Sequence, residues 1–335
     1  MNFSTLIRIS RPRFWHYVLG PMLIYFAGSG YLDEIYSSWS SGGTDWIFQL
    51  IILIIILGYF TLPANLWIYG WNDIADGDTD KFNTKKGTYE AKIDNSKTMK
   101  NKLKKQIIGR NIGYIIIGGL GAVVCTLLMD CGLYTVPCNP QDIIFGSLHI
   151  FFRWIMGSIL IGLLPFLLTS YLYSCKPLRA KAKPFIDGIM NVLYIAVPFS
   201  IIGVTILSAL INRYEIGFNI ELITYNFFAA LLRCMAMHCY SAIPDIEPDR
   251  QAGLTTTAVY LGKQNSLIYC ATLYALSAFL SFPTLGWFSI VGGIIYISVM
   301  ILSMVKKDLF ALYKLFPYIN LIIGFLLFRY IILYL

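Results

Sequence analysis

Long apolar stretches recur along the whole chain, and they constrain the fold more than any other feature. A helix that crosses a bilayer needs about 20 mostly apolar residues, and the 335 residues offer such stretches repeatedly. With 57% hydrophobic and only 13% charged residues, the composition also excludes an ordinary soluble enzyme. The sequence therefore predicts an all-α, polytopic membrane protein with about nine transmembrane helices. The predicted spans are 15–33, 46–70, 107–129, 150–173, 185–211, 220–243, 265–283, 285–304 and 315–335.

The basic residues predict how the chain is oriented in the membrane. Cytoplasmic loops retain an excess of Lys and Arg, and the segments on one side hold most of the 26 such residues, whereas the loops on the other side contain only Arg213. This asymmetry predicts a cytoplasmic N-terminus and, with nine spans, a C-terminus outside. The net charge of +8 is then mostly a result of topology and gives no argument for nucleic acid. An anionic inner leaflet or an anionic substrate suits it equally.

A first cluster of acidic residues follows the second predicted span. Asp73, Asp76 and Asp80 stand at i, i+3 and i+7, and Asn72 stands four residues before Asp76. If the helix continues into the loop, these side chains line one side of it. Three carboxylates on one face repel each other unless a cation is bound, and Mg²⁺ binds through a few carboxylates together with substrate phosphates. A solvated loop without a ligand is the alternative.

A second acidic cluster follows the sixth predicted span. Asp245 and Asp249 stand at i and i+4, but Pro244 and Pro248 are expected to disturb a regular helix there. This cluster lies four spans after the first one, as expected if two four-helix halves each present acidic residues at the same depth. The repeat predicts a single domain over 1–335, with halves at about 1–184 and 185–304 and a ninth helix at about 315–335. The spans at 265–283 and 285–304 are expected to be joined by a short turn near Pro283.

Basic side chains on the same predicted side suit a substrate that carries its own negative charge. Arg holds phosphate in a bidentate manner, and Lys acts as a mobile point charge. A plain positive-inside signal is the competing interpretation for the loop that follows the fourth span. Aromatic residues make up 16% of the chain, and they either anchor helices at the membrane interface or line a cavity that stabilises a carbocation. The basic candidates are Arg11, Arg13, Lys176, Arg179, Lys181 and Lys183.

Three further features leave alternatives open or match no motif. Cys131 and Cys138 share a predicted outer loop, where they either form a disulfide or remain free thiols. Asp187 lies near the start of the fifth span, where capping that helix is favoured over joining the site. The histidines stand isolated in the sequence, and none belongs to a metal-ligand or nucleophile motif: His16, His149 and His238.

These motifs resemble those of the UbiA-type intramembrane prenyltransferases over essentially the whole chain. The pattern NDxxDxxxD that begins at Asn72 resembles the first aspartate-rich motif of that family, and DxxxD at Asp245 and Asp249 resembles the second. The resemblance implies nine helices, a cytosolic active site, and binding of a diphosphate through Mg²⁺ by the acids of both motifs with Asn72 assisting. It implies further contacts with the diphosphate from the first-helix arginine and the segment after the fourth helix. The residues so implied are Asp73, Asp76, Asp80, Asp245, Asp249, Asn72, Arg11, Tyr173, Ser174, Lys176, Arg179 and Lys181.

Longer segments are similar to the carotenoid-prenylating branch of the family, the lycopene elongases. They are SRPRFWHYVLGP, NDIADGDTDKFNTKK, YSCKPLRAKAKPFIDG and IPDIEPDRQAGLTTTAVYLGK. The resemblance implies that Mg²⁺ assists ionisation of an allylic prenyl diphosphate, dimethylallyl or longer, and that the prenyl group passes to lycopene or a related carotenoid. An aromatic acceptor of quinone biosynthesis and a glycerol lipid remain alternatives. A transporter with acidic inner gates is a distant one, because the acids cluster at one membrane edge and leave the midplane almost empty.

Overall fold

The computed structural model describes residues 1–28, 30–77, 87, 93–130, 162–195, 220–306 and 309–334. All regular secondary structure in this part of the chain is helical, as the sequence predicts, and it contains no strand. The helices of the first part are α1 (Phe3–Ile9), α2 (His16–Gly28), α3 (Tyr31–Ser40), α4 (Asp45–Tyr59), α5 (Leu62–Ala75), α6 (Lys97–Asp130) and α7 (Leu164–Ser174). Those of the second part are α8 (Ile186–Ile195), α9 (Ile220–Ala242), α10 (Ile246–Gln251), α11 (Thr257–Leu285), α12 (Trp287–Val305) and α13 (Leu309–Tyr334).

Within the described ranges, six helical segments are long and apolar enough to cross a membrane. They coincide with six predicted spans, and apolar side chains such as Ile54 and Phe279 point outward from them, as expected of surfaces that contact lipid. The chain is therefore an integral membrane protein. The segments are Asp45–Ala75, Lys97–Thr126, Tyr225–Gln251, Thr257–Leu285, Trp287–Val305 and Leu309–Tyr334.

The total of nine spans stays a prediction. The predicted span at 15–33 corresponds to α2, which has 13 residues, followed by α3. The spans at 150–173 and 185–211 extend beyond the described residues, as does the loop that holds Cys131 and Cys138.

Glycine and proline determine where several helices end. The predicted turn near Pro283 lies instead at Gly286, and Pro283 is inside the last turn of α11. Gly286 has a φ of 52°, which a residue without a Cβ adopts at little cost, so the chain reverses there and begins α12. Pro63 stands in the first turn of α5, where its missing N–H would have no partner in the helix.

Close helix contacts hold the bundle together, because lipid tails are as apolar as the side chains and burial alone provides little driving force. At Gly293, an added Cβ would lie 2.6 Å from the Cβ of Ala278, so α11 and α12 approach more closely there than a larger residue permits. An added Cβ at Gly70 would lie 2.7 Å from Ile107 Cδ1, where α5 packs on α6. The last helix, α13, packs against α2. These contacts bring the ends of α5, α7 and α9 to one cavity.

Candidate active site

A cavity of about 250 Å³ lies where the two acidic motifs meet. Its lining combines the charged side chains of the two motifs, which we call the polar end, with a set of aromatic side chains, which we call the aromatic wall. Asn72 and Asp76 reach it from the first motif, and Asp245 and Asp249 from the second. The aromatic side chains of the wall are Phe14, Tyr17, Tyr69, Tyr173, Tyr194 and Tyr313.

The first motif occupies the end of α5, which stops at Ala75 instead of continuing through the loop. Asp76 is the residue that ends the helix, with φ −93° and ψ 2°. Asp73 is buried and turns toward Arg11, whose Nη2 lies 3.0 Å from Asp73 Oδ1, whereas Asp76 faces the cavity. The sequence predicted that the carboxylates of this motif share one face, but Asp73 and Asp76 point in different directions. Asp80 lies outside the described residues.

Two arginines approach the first motif from turns with a left-handed backbone. Arg11 has a φ of 51° and Arg179 a φ of 44°, a conformation that costs a non-glycine residue roughly 1–2 kcal/mol. Such strain concentrates at functional sites, where the surrounding structure maintains it. The turn at Arg11 places its guanidinium 4.7 Å from the ring centre of Tyr69, in addition to the Asp73 pair. Arg179 Nη2 lies 3.7 Å from Asp76 Oδ1.

Lys181 supplies the cation in closest contact with Asp76. Its ammonium group contacts the carboxylate and donates a hydrogen bond of 3.1 Å to Asn72 Oδ1. Ser174 Oγ donates to the same amide oxygen over 3.2 Å. Lys181 is buried, because the short 3₁₀ turn Ala180–Ala182 directs it back toward the end of α5. Asn72, Ser174 and Lys181, all predicted from the sequence, therefore form one hydrogen-bonded group.

The second motif keeps a helical backbone despite its prolines. A 3₁₀ turn over Ile243–Asp245 joins α9 to α10, and Pro248 stands in the first turn of α10, where a missing N–H is tolerated. Asp245 and Asp249 both line the cavity. The prolines therefore change the type of helix without separating the two carboxylates.

Two predicted diphosphate contacts lie apart from the hydrogen-bonded group of Asn72, Ser174 and Lys181. Lys176 is exposed and is not part of the cavity wall. Tyr173 lines the cavity, but its hydroxyl lies 3.5 Å from Nε2 of His238, and its ring packs edge-on against Tyr194. Tyr173 therefore contacts the aromatic wall rather than the basic group.

Cys175 lies directly beside the site, between Ser174 and the basic loop. Burial raises the pKa of its thiol, as does the nearby Asp76 carboxylate, although Lys181 and Arg179 act in the opposite direction. The thiol donates to the carbonyl oxygen of Trp71 over 3.9 Å. A protonated, bonded thiol is a poor nucleophile, so we assign Cys175 no chemical role.

The donor set suits a hard divalent cation that is held jointly with a substrate. Among the described residues, no three acidic, His or Cys side chains form a closed metal cage. Mg²⁺ does not need such a cage, because it keeps several waters and binds through one or two carboxylates together with phosphate oxygens. The amide and carboxylate oxygens at the polar end are of the required type: Asn72, Asp76, Asp245 and Asp249.

Three polar side chains at or beside the cavity were not among the site residues predicted from the sequence. Asp187, for which a cap on its own helix was favoured, is buried and accepts hydrogen bonds from Thr257 at the start of α11. Its Oδ2 lies 3.8 Å from Nε2 of His238, which the sequence left isolated. Asn191 also lines the cavity. The one signal available was the spacing of Asp187, Asn191 and Tyr194, which places them on one face of α8.

Comparisons with known proteins identify the family. The model of the UbiA prenyltransferase family matches residues 23–314. The chain is 30% identical to a lycopene elongase/hydratase of Haloarcula japonica over 95% of this chain and 88% of that protein. It is 29% identical to a lycopene elongase/hydratase of Halobacterium salinarum over 82% of this chain and 78% of that protein.

Solved structures support the fold. A UbiA homolog from Archaeoglobus fulgidus bound to DMAPP and Mg²⁺ superposes with a TM-score of 0.52 at 18% identity, covering 99% of this chain and all of that one. A digeranylgeranylglyceryl phosphate synthase gives a TM-score of 0.50 at 16% identity over 98% of both chains. The family match covers most of the chain, and it favours an enzyme over the transporter alternative. The chain belongs to the UbiA prenyltransferase family and is a membrane prenyltransferase.

Proposed function

We propose that this prenyltransferase transfers a dimethylallyl group from its diphosphate to lycopene or a related carotenoid. The observation that carries the proposal is the cavity itself, where the acids of both motifs and the cations Arg11 and Lys181 meet at one end of an aromatic wall. The acceptor is supported by the two archaeal relatives, which are lycopene elongase/hydratases. Because these relatives are named hydratases as well as elongases, they also support the addition of water during the reaction.

The polar end would bind the diphosphate of the donor. Bound Mg²⁺ would neutralise the phosphate oxygens and stabilise the leaving group as the carbon–oxygen bond breaks. Arg11 and Lys181 lie at the cavity and would donate to phosphate oxygens, with Arg179 close behind them. The cavity-lining residues that would hold the metal are Asn72, Asp76, Asp245 and Asp249. The first motif would add Asp80 and, on leaving its pair with Arg11, Asp73.

The aromatic wall would guide the allylic cation. Ring faces attract a positive charge that lies within about 6 Å, and six aromatic side chains line the cavity. Tyr69 already makes such a contact with a protein cation, because the Arg11 guanidinium lies 4.7 Å from its ring centre. The acceptor would enter along the wall, so that its terminal double bond meets the cation.

We also propose the topology that the basic residues predict. The N-terminus and the polar end of the cavity face the cytoplasm, where prenyl diphosphates are soluble, and the ninth span leaves the C-terminus outside. The chain forms one domain with two four-helix halves and a ninth helix. This arrangement is tested with Ser4→Cys and Tyr334→Cys, each as the single cysteine of the chain. Intact cells are treated with a membrane-impermeant thiol reagent. Only the cysteine at Tyr334 is expected to react.

The function is tested with the purified protein in bilayer nanodiscs, Mg²⁺ and radiolabelled dimethylallyl diphosphate. Lycopene, 4-hydroxybenzoate and a glycerol-based lipid are offered in parallel. We expect label in a lengthened carotenoid, loss of that label in Asp76→Ala, and no loss in the matched control Asp33→Ala, an exposed acid on α3. Label in the aromatic acid or in the lipid would replace the proposed acceptor. No Mg²⁺-dependent transfer to any acceptor, with geranyl or longer donors included, would refute the proposal.

A further inference from the structure

A second polar group lies along the cavity wall, separate from the acids and cations of the two motifs. It consists of His238 on α9 and Asn191 on α8, which both line the cavity, and of Asp187 on α8, which lies behind His238. The rings of Tyr173 and Tyr194 connect His238 with Asn191, because Tyr173 packs edge-on against both His238 and Tyr194, and Asn191 donates to the Tyr194 hydroxyl. We call His238, Asn191 and Asp187 the second polar group.

Asp187 holds a fixed carboxylate behind the imidazole. Its side chain is 1% exposed, and its Oδ2 accepts a hydrogen bond of 2.8 Å from the backbone N–H of Thr257. Its Oδ1 accepts from the Thr257 hydroxyl and, over 2.7 Å, from the backbone N–H of Gly188. With both oxygens held, Oδ2 lies 3.8 Å from Nε2 of His238. The carboxylate can therefore orient the imidazole and stabilise it when it carries a proton.

Asn191 presents an unused acceptor. Its Nδ2 donates to the Tyr194 hydroxyl over 2.7 Å, whereas its Oδ1 has no hydrogen-bond partner among the described residues although the residue is only 6% exposed. Buried amide oxygens are almost always paired. The cavity wall therefore has an acceptor for a small ligand that brings a hydrogen-bond donor, and water is the smallest such ligand.

We infer that the second polar group binds the water that ends the reaction, with Asn191 Oδ1 accepting one of its hydrogens and His238 accepting its proton. This inference depends on the proposed function, because it assigns the step after prenyl transfer. The donor's carbon–oxygen bond breaks and its electron pair leaves with diphosphate. The double-bond electrons of the acceptor form the new carbon–carbon bond and leave a tertiary cation on the neighbouring carbon. The water oxygen bonds to that cation, and its proton passes to His238.

Asp187 acts through His238 and is a positioning residue. Without an oriented base, the same tertiary cation loses a proton from a neighbouring carbon and yields an alkene instead of an alcohol. The second polar group would therefore determine the ratio of the two products. Both products arise from the same cation, so a general loss of activity lowers both and leaves the ratio of alcohol to alkene unchanged.

The test uses the full chain in nanodiscs with Mg²⁺, dimethylallyl diphosphate and ¹⁸O-labelled water, once with the donor alone and once with lycopene. In the first arm the dimethylallyl cation itself is captured, and the ratio of labelled alcohol to diene is measured. In the second arm the ratio of hydroxylated to unsaturated carotenoid is measured. We expect each ratio to fall at least about tenfold in His238→Gln and Asn191→Leu, because a positioned base contributes that much or more. Asp187→Asn should lower it and Asp187→Glu should restore part of it.

The control is His16→Gln, a half-buried imidazole that is not part of the cavity wall and should leave both ratios unchanged. Unchanged ratios in either His238→Gln or Asn191→Leu, with diphosphate still released, would overturn the inference. Absence of ¹⁸O-labelled alcohol from the unmodified protein in both arms would also overturn it. Labelled alcohol from the donor alone without any change to lycopene would refute the proposed acceptor, while the variants still decide the role of the second polar group.

Discussion

Replacement of Lys181 by Met is expected to change metal binding and donor use in opposite directions. The Lys181 ammonium contacts Asp76 and donates to Asn72, two of the proposed metal ligands. A cation that binds those oxygens must displace the ammonium. The Lys181 side chain is 8% exposed and that of Asp76 13%, so water weakens the contact little. The variant removes this internal competitor, and its Met side chain has a similar length without the charge.

The magnitude follows from these contacts. A hydrogen bond to a charged group contributes about 1.5–3 kcal/mol, and the lower value applies because the released ammonium is free to hydrate or to bind phosphate. At 1.4 kcal/mol per factor of ten, the Kd for Mg²⁺ alone should fall about tenfold. The variant also lacks one donor to the diphosphate, so kcat/KM for dimethylallyl diphosphate should fall about 10- to 100-fold.

Isothermal titration with Mg²⁺ gives the first quantity, and diphosphate release at saturating Mg²⁺ gives the second. Lys183→Met is the matched control, because Lys183 lies in the same loop but is exposed and is not part of the cavity wall. Weaker Mg²⁺ binding in Lys181→Met, or effects equal to those of the control, would refute the reasoning.

Three further variants test other parts of the site. Arg11→Met removes the guanidinium that lies 3.0 Å from the buried Asp73 carboxylate, so it should lower stability by about 3–5 kcal/mol, measured as loss of monodisperse protein on heating in detergent; stability equal to that of the native chain would contradict this. Lys176→Met should change diphosphate release less than about twofold, because surface charges contribute little; a tenfold loss would show that the exposed position is not the functional one. Asp249→Asn should lower Mg²⁺-dependent release by about 100-fold or more, and retention of activity would remove the second motif from the site.

Spacing in the sequence predicted that the two acidic motifs lie at matching positions, and residues of both motifs line one cavity. Residues at the ends of helices that lie four spans apart are expected at the same membrane edge, and the structure brings Asp76, Asp245 and Asp249 to one cavity. Spacing did not predict the end of α5 at Ala75, because the periodic argument assumes that a helix continues. For that reason Asp73 pairs with Arg11 rather than facing the cavity with Asp76.

Composition could not separate the cations of one loop from each other. Lys176 and Lys181 are equivalent under a positive-inside argument, yet one is exposed and the other is buried against Asn72. The difference arises from the left-handed backbone at Arg179 and the 3₁₀ turn that follows it. A single sequence does not reveal such a turn when the residue with positive φ is an arginine, because glycine is the usual signal.

The second polar group was missed for a different reason. His238 and Asp187 are 51 positions apart, and no local pattern connects them. Their proximity depends on the packing of α8 beside α9, and the Asp187 carboxylate is held by Thr257 from a third helix. Long-range pairs of this kind are determined by tertiary packing, so the sequence suggested an isolated histidine and a helix cap where the structure pairs the two side chains.

The size of the cavity limits which parts of the two substrates its wall can recognise. At about 250 Å³, it is smaller than the roughly 300–1,000 Å³ of sites that enclose a drug-sized ligand. It has room for a short prenyl diphosphate and the end of an acceptor, but not for a 40-carbon polyene. A carotenoid acceptor would therefore keep most of its length in the bilayer and present only its terminal double bond. The charged end would then select the donor, the second polar group would determine how the cation is quenched, and the body of the acceptor would be recognised by the lipid-facing helices. Exchange of cavity residues should accordingly change donor length and the ratio of alcohol to alkene before it changes which carotenoid is accepted.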